Sequence, residues 1–396
     1  MKSMSDPVVI ASYARTPIGG LQGLLSAVTA TRLGSIAVGA AVERANVAPD
    51  AIARIYMGCV LPANLGQAPA RQAARGAGLP DSVEATTVNK MCGSGMQAAI
   101  MALEALAAGT VDVVIAGGME SMTNAPYLLP KHRSGARLGH DVVYDSMMKD
   151  GLEDAYTPGK PMGAFAEDAA REYQFTREQQ DEFALRSLSR AKEAISSGAF
   201  SAEVIPVTVQ SRKGDIIADV DEQPGKAKPE KIPTLKPVFA TDGTVTAANS
   251  SSISDGAAAL VMTRQSVAEA RGIKMLARVV AVGSHAQSPE RFTSAPVPAI
   301  RKVLDEAGWS VDDVDLFEVN EAFAIVAMIA QRELGIPVEK LNVNGGATAL
   351  GHPIGASGAR IMATLVAALE NRGLRKGVAA LCIGGGEATA VALELI

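Results

Sequence analysis

The chain has 396 residues, of which 48% are hydrophobic, 20% charged and only 4% aromatic. That mixture excludes a disordered polar chain and calls for an interior of Ala, Val, Ile and Leu, with length enough for two cores or one core with a large insertion. A net charge of −5 supplies no basic excess to neutralise a phosphate backbone, so nucleic acid is not an expected partner.

The opening "MKSMSDPVVIASYARTP" passes into an apolar strand without a leader-like apolar region. No window approaches ~18–20 uninterrupted apolar residues, so no membrane partner is expected. "AVERANVAPDAIARIYMG" (41–58) reads as a helix end, a turn and a strand, followed by Cys59 in an apolar stretch that reads as core. "CGSGMQAAIMALEALAAGTVDVVIAGGMES" (92–121) reads as Ser-Gly, an Ala/Leu/Met-rich helix, a glycine break, and a short strand closing on Gly-Gly-x-Glu.

From 121 to 246 the texture changes to charge, proline and methionine. One amphipathic helix is predicted there over 176–198, with Thr176 as N-cap and Gly198 as C-cap. "DVDEQPGKAKPEKIPTLKP" (219–237) reads as a mobile loop, and the Met- and Leu-bearing 119–148 stretch as an assembly surface. Core-building chain returns at 243–265. "VLDEAGWSVDDVDLFEVN" (303–320) then repeats the pattern of 41–58, and "GASGARIMATLVAALENRGLRKGVAALCIGGGEAT" (355–389) repeats that of 92–121. Shared order over several elements predicts an α/β protein of two related halves. The first half takes 1–120 and 247–272, the second takes 273–396, and 121–246 is an insertion into the first.

Three glycine-loaded loops hold the chemistry: "NKMCGSGMQAA" at Cys92, "NVNGGATALGHPIGASGAR" at His352 and "LCIGGGEATA" at Cys382. "EVNEAFA" adds Asn320 and Glu321 at a strand end. Gly93 and Gly95 mark either a sharp turn or a close approach at the thiol. Cys92 precedes a helical run, whose N-terminal N–H groups and dipole favour a thiolate. His352 occupies the matching loop of the second half. If the halves pack about a pseudo-twofold axis, Cys92 and His352 meet as nucleophile and base. Cys382 runs into Gly384, Gly385 and Gly386, whose N–H groups can hold an oxyanion. Its thiol reads as a second proton-transfer group or as a small core residue. The three cysteines and four histidines lack metal-ligand spacing, so no metal is expected. A sparse, odd cysteine count fits a reducing compartment and a soluble, cytoplasmic protein. A nucleotide fingerprint is absent from the glycine loops.

Through "NKMCGSGMQA", "NEAFA", "NVNGGATALGHPIGASGAR" and "CIGGGEATA" the chain resembles the thiolases end to end, in particular their acetyl-CoA acetyltransferase group. The resemblance implies a five-layered αβαβα fold of two similar halves with a loop domain over the coenzyme A groove, and a homo-oligomer, usually a tetramer built as a dimer of dimers. It implies Claisen condensation of two acetyl-CoA to acetoacetyl-CoA plus CoA, and the reverse thiolysis, with coenzyme A thioesters as substrates and no resident cofactor. Cys92 is then the acyl-carrying nucleophile. His352 activates it and later binds the second thioester oxygen, and Asn320 positions a water in that same oxyanion site. Cys382 moves the α-carbon proton. The N–H groups of Cys92 and Gly384 form the other oxyanion hole, and Ser251 contacts the pantetheine arm.

Departures touch the acyl pocket. Pro161 precedes Met162 where many bacterial members carry His, and Phe292 stands where short-chain members often carry Met. Phe239 and Phe323 match pocket aromatics and favour a small acyl group, leaving a broader-chain degradative 3-ketoacyl-CoA thiolase as the alternative. Lys226 and Lys228 read either as phosphate contacts or as ordinary solvated lysines. The second cysteine argues against a β-ketoacyl synthase, and the complete set Cys92, Asn320, His352, Cys382 against a non-catalytic acyl- or lipid-binding relative.

Overall fold

The computed structural model describes residues 6–212 and 214–396. The first five residues, part of the opening read above, lie outside the described residues. The main strands are β1 (Val8–Arg15), β2 (Arg54–Gly58), β3 (Glu84–Val88), β4 (Val113–Ser121), β5 (Ser254–Arg264), β6 (Ala277–Ala286), β7 (Leu316–Val319), β8 (Lys376–Ile383) and β9 (Glu387–Leu395). The main helices are α1 (Ala30–Ala45), α2 (Ser94–Ala107), α3 (Met162–Glu172), α4 (Arg177–Ser196), α5 (Pro296–Ala307), α6 (Ala324–Leu334) and α7 (Ser357–Arg372).

The strands follow one path, β7-β8-β9-β6-β1-β5-β4-β2-β3. In the first half β2 runs parallel to β4, β4 antiparallel to β5 and β5 antiparallel to β1. The second half repeats those senses with β7, β8, β9 and β6. Among the described residues the half-sheets pair through Val9 opposite Arg278 and Ile10 opposite Ala277. A lone bridge from Phe317 to Leu341 stands where the second half has no counterpart of β3.

Strand parity builds the layers. In β8, Ala379 and Leu381 face the central core while Val378, Ala380 and Cys382 face the outer one. The central core holds α2 and α7 between the half-sheets, with Met96 and Leu103 beside Ile361 and Leu365. The outer layers are α1 on the first half and α5 with α6 on the second. Helix α7 is buried on every face from Ser357 to Leu369, as a helix between two sheets must be. The result is α, β, α, β, α.

The central helices cross where neither residue has a side chain. A Cβ on Gly358 would lie 2.3 Å from Met96 N, and one on Gly95 2.8 Å from Ala359 N. Gly95 therefore serves helix packing. The repeats' Ser-Gly pairs are what let the two reaction loops approach each other.

The segment between antiparallel neighbours β4 and β5 carries α3 and α4. Thr176 caps α4 through a full capping box with Gln179. The helix ends one residue earlier than the sequence suggests: Ser197 is the cap, and Gly198 follows in the left-handed region at φ 76°. The 219–237 loop differs more. Buried Asp221 takes Arg15 Nη1 and Nη2 at 2.7 and 2.9 Å and the Ile18 N–H at 2.8 Å, and a short helix runs Glu222–Lys226. One buried ion pair anchors what lysines and prolines made look mobile. Lys226 pairs with Glu222 of its own turn.

Candidate active site

Between β3 and α2 the chain makes a tight, side-chain-braced turn. The Lys90 N–H donates to Ser94 Oγ at 2.8 Å, the Ser94 hydroxyl to the Met91 carbonyl at 2.6 Å, and the Met91 N–H to Asn89 Oδ1 at 3.0 Å. Met91 takes the strained left-handed conformation at φ 48°, whereas Gly93 is right-handed at φ −79°. Gly93 is there for closeness: its Cβ would meet Ile383 Cδ1 at 2.4 Å. That contact brings the loop after Cys382 onto Cys92. The Gly384 N–H reaches the Cys92 sulfur, as does the N–H of Cys92 itself.

Those N–H groups lower the thiol's pKa, but burial is larger and pushes it up to about 11. The helix-stabilised thiolate expected from sequence is corrected here to a resting thiol, because the desolvation of a half-buried sulfur among apolar groups outweighs the nearby dipoles. Cys382 is 1% exposed, and burial, then the nearness of Cys92, raises its thiol well above the usual range.

His352 is held by its backbone and its ring. Its N–H donates toward the Ser252 carbonyl and Ser254 Oγ, each at 3.2 Å. Ser357 Oγ lies 2.6 Å from His352 Nδ1 and donates its own proton to the Pro353 carbonyl at 2.9 Å. With that proton committed, Ser357 accepts from Nδ1–H, so Nε2 keeps its lone pair. Nε2 faces Asn320 Nδ2 at 3.5 Å. Burial, then the Arg360 charge, pushes the imidazole down to about 3, so it is neutral at rest.

Cys92, His352, Gly384, Met162, Phe239, Phe323 and Ser251 line one cavity of about 390 Å³, together with Pro161 and Phe292. Asn320 and Cys382 stand just behind its wall, Asn320 against His352 and Cys382 against Cys92. Edge-to-face rings close one side: Phe239 to Phe323 at 6.1 Å, Phe323 to Phe292 at 6.3 Å and Phe292 to Phe165 at 6.5 Å. Gly163 admits the Phe239 ring, which its Cβ would meet at 2.2 Å. The Ser251 N–H ties the serine run to Ala322 at 3.0 Å.

Several residues that matter here escaped the sequence reading. Glu120, fully buried, accepts the N–H of Val60, Leu61 and Gly355 at 2.9, 3.1 and 2.9 Å, binding the His352 loop to the first half. Its repeat counterpart Glu387 pairs with Lys90, two residues before Cys92. Each Gly-Gly-x-Glu carboxylate thus grips the other half's reaction loop. Glu321 faces away from the cavity, accepting from Ser187, Asn342 and Thr348. The repeated glutamates were visible in the sequence; Ser357 was too, but only as a helix start.

A half-buried nucleophilic thiol sharing one cavity with a neutral base, with backbone donors at the sulfur, suits acyl transfer through a covalent thioester. Two family models match: "Thiolase, N-terminal domain" over residues 8–266 and "Thiolase, C-terminal domain" over 273–395. Acetyl-CoA acetyltransferase 2 of Arabidopsis thaliana is 51% identical over 392 residues, covering 98% of this chain and 97% of that protein. Acetyl-CoA acetyltransferase of Schizosaccharomyces pombe is 45% identical over 395 residues, covering 99% of this chain and all of that protein (100%). The crystal structure of the Bacillus anthracis acetyl-CoA acetyltransferase superposes with a TM-score of 0.96 at 40% identity, covering 99% of each chain.

Proposed function

The chain belongs to the thiolase family and is an acetyl-CoA C-acetyltransferase, and we propose that it works through Cys92, His352, Asn320, Cys382 and the Gly384 N–H in the following sequence. The Cys92 sulfur attacks the acetyl-CoA carbonyl while its proton passes to His352 Nε2. The oxyanion that forms sits between the N–H groups of Cys92 and Gly384. Collapse expels the CoA thiolate, which takes the Cys382 proton and leaves as CoA. Acetyl-Cys92, an imidazolium and a Cys382 thiolate remain, two opposite charges that favour each other in the acetylated enzyme and are absent from the neutral resting site.

A second acetyl-CoA enters. The Cys382 thiolate removes an α-proton, and the enolate oxygen is held by His352 Nε2–H and a water on Asn320. The enolate carbon attacks acetyl-Cys92, acetoacetyl-CoA forms, and the departing Cys92 sulfur recovers its proton from His352. Atoms and charge balance, and every group returns to its neutral resting form. The reverse order is thiolysis. Ping-pong kinetics follow from the stored acyl group.

The observation that carries this reading is the shared cavity, lined by Cys92 with its backbone donors and by His352, with Asn320 against His352 and Cys382 near Cys92. The aromatic side formed by Phe239, Phe323 and Phe292 supports a small acyl group, with Met162 beside it and Ser251 along the pantetheine approach. Cys382→Ser is the test. It should still transfer labelled acetyl from acetyl-CoA to the Cys92 peptide, yet form acetoacetyl-CoA at least about a hundredfold more slowly. Label missing from that peptide, or undiminished condensation, defeats the scheme.

The division into 1–120 with 247–272, 121–246 and 273–396 is part of the proposal, supported by the repeated strand senses. So is a homotetramer, supported by exposed apolar residues on the 127–156 segment. A cytoplasmic location is supported by three free cysteines. Among the described residues no helix is long and apolar enough to cross a membrane.

A further inference from the structure

Arg360 is 2% exposed, and the sequence of steps above gives it no task. Its Nε and Nη1 find no hydrogen-bond partner among the described residues, nor does Oε1 of Glu318, whose other oxygen lies 3.9 Å from Nη1. A buried guanidinium with unused donors is costly, and an apolar residue of similar volume is often no worse for stability. Arg360 does make one directional contact with the site: Nη2 donates to Asn320 Oδ1 at 3.4 Å.

An asparagine amide has two nearly isosteric orientations, with oxygen and nitrogen exchanged. Arginine offers five donors and no acceptor. Turned round, Asn320 would set its own NH2 against the guanidinium, donor against donor. With Arg360 in place, Oδ1 faces the guanidinium and Nδ2 faces His352 and the reaction centre. In the resting enzyme, where Nε2 is unprotonated, the chain of polar contacts has one sense throughout: Arg360 to Asn320, Asn320 to His352 Nε2, His352 Nδ1–H to Ser357, Ser357 to the Pro353 carbonyl. The contacts at 3.4 and 3.5 Å exceed the usual 2.7–3.2 Å, so they fix direction more than energy. Ser357 and Arg360 lie one turn apart on α7 and share a face. One helix face thereby governs both the tautomer of His352 and the orientation of Asn320.

We propose that Arg360 is a positioning residue for the condensation step, fixing the Asn320 amide so that its NH2 points into the enolate-binding site. This rests on the role given to Asn320 above. The measurements are acetylation of Cys92 from labelled acetyl-CoA, acetoacetyl-CoA formation, and melting temperature, each for Arg360→Gln, Arg360→Lys, Asn320→Ala and the double variant Arg360→Gln/Asn320→Ala. Acetylation by the Arg360 variants should stay within about threefold of the parent while condensation falls about 10- to 100-fold, below the cost of losing an oxyanion donor outright. Lysine, also donor-only, should recover part of the loss. The double variant should be no slower than Asn320→Ala, because the two changes remove one function.

Additive losses, or equal losses in both half-reactions, would make Arg360 merely structural and overturn the proposal. So would normal condensation by Arg360→Gln beside a slow Asn320→Ala. Normal condensation by Asn320→Ala would instead refute the role of Asn320 itself. Neutron diffraction on the unmodified protein decides the matter without any variant: amide deuterons directed at Arg360 contradict the inference, and deuterons directed at His352 support it.

Discussion

In the cavity that Cys92 and His352 share, burial pushes the thiol up to about 11 and the imidazole down to about 3, so the proton stays on sulfur across the physiological range. The ordinary thiol value is 9.0, so burial moves the thiolate to higher pH. Raising pH from 7 to 9 should therefore increase iodoacetamide alkylation of Cys92 about tenfold per unit, with no plateau in that window, since only the thiolate reacts. Peptide mass spectrometry reads the rate. A rate flat from pH 6 upward would mean a preformed thiolate–imidazolium pair and would sink the neutral resting state. His352 also contributes no inflection near its ordinary 6.5, because its neutral form persists down to about pH 3. The sequence identified these residues through their glycine frames and misjudged the ionisation of Cys92. Helix position is a local property and burial a tertiary one, and at this sulfur burial is larger.

Between elements, the decisive contact is the crossing of α2 and α7. A methyl group at 358 would lie 2.3 Å from a backbone nitrogen, which cannot rotate away, so the helices must separate. Overpacking a core typically costs about 1–3 kcal/mol, and Gly358→Ala belongs at or beyond the upper end, with Gly95→Ala somewhat less. Gly225→Ala is the control, since its Cβ meets nothing within 4 Å and its cost should stay within about 0.5 kcal/mol. Urea midpoints compare the three; equal midpoints would show that the crossing is not as tight as described. The Ser-Gly repeat, the helix and strand after it, and the N-cap at Thr176 are short-range signals and were readable. What the glycines accommodate was not, because the partner of Gly95 lies on the other half and that of Gly93 is Ile383. Asp221 makes the same point for the 219–237 loop: its partner Arg15 is distant in sequence, and composition there pointed toward mobility. Arg360 and Ser357 went unread for a related reason, since their meaning depends on which side chains the crossing brings opposite them.

For the whole molecule the open quantity is assembly. The segment after β4 exposes Leu138 at 98%, Tyr156 at 71% and Tyr127 at 69%, and it includes a two-strand ribbon pairing Tyr127 with Asp145 and Leu128 with Tyr144. Single exposed apolar residues are ordinary, but several on one segment are what the proposed assembly surface would need. Full burial of such a side chain contributes about 1.5–3 kcal/mol, and each chain of a symmetric assembly offers the same set. If the tetramer proposed above is the assembly, Leu138→Glu combined with Tyr127→Ser should halve the mass found by light scattering, from four chains to two. The cavity lies on different residues, apart from the stretch near Met148, so acetyl transfer per chain should change less than about twofold. A mass that stays at four chains would remove this segment from the assembly surface. Loss of activity in step with loss of mass would mean that a neighbouring chain braces the cavity wall at Met148 and Leu152.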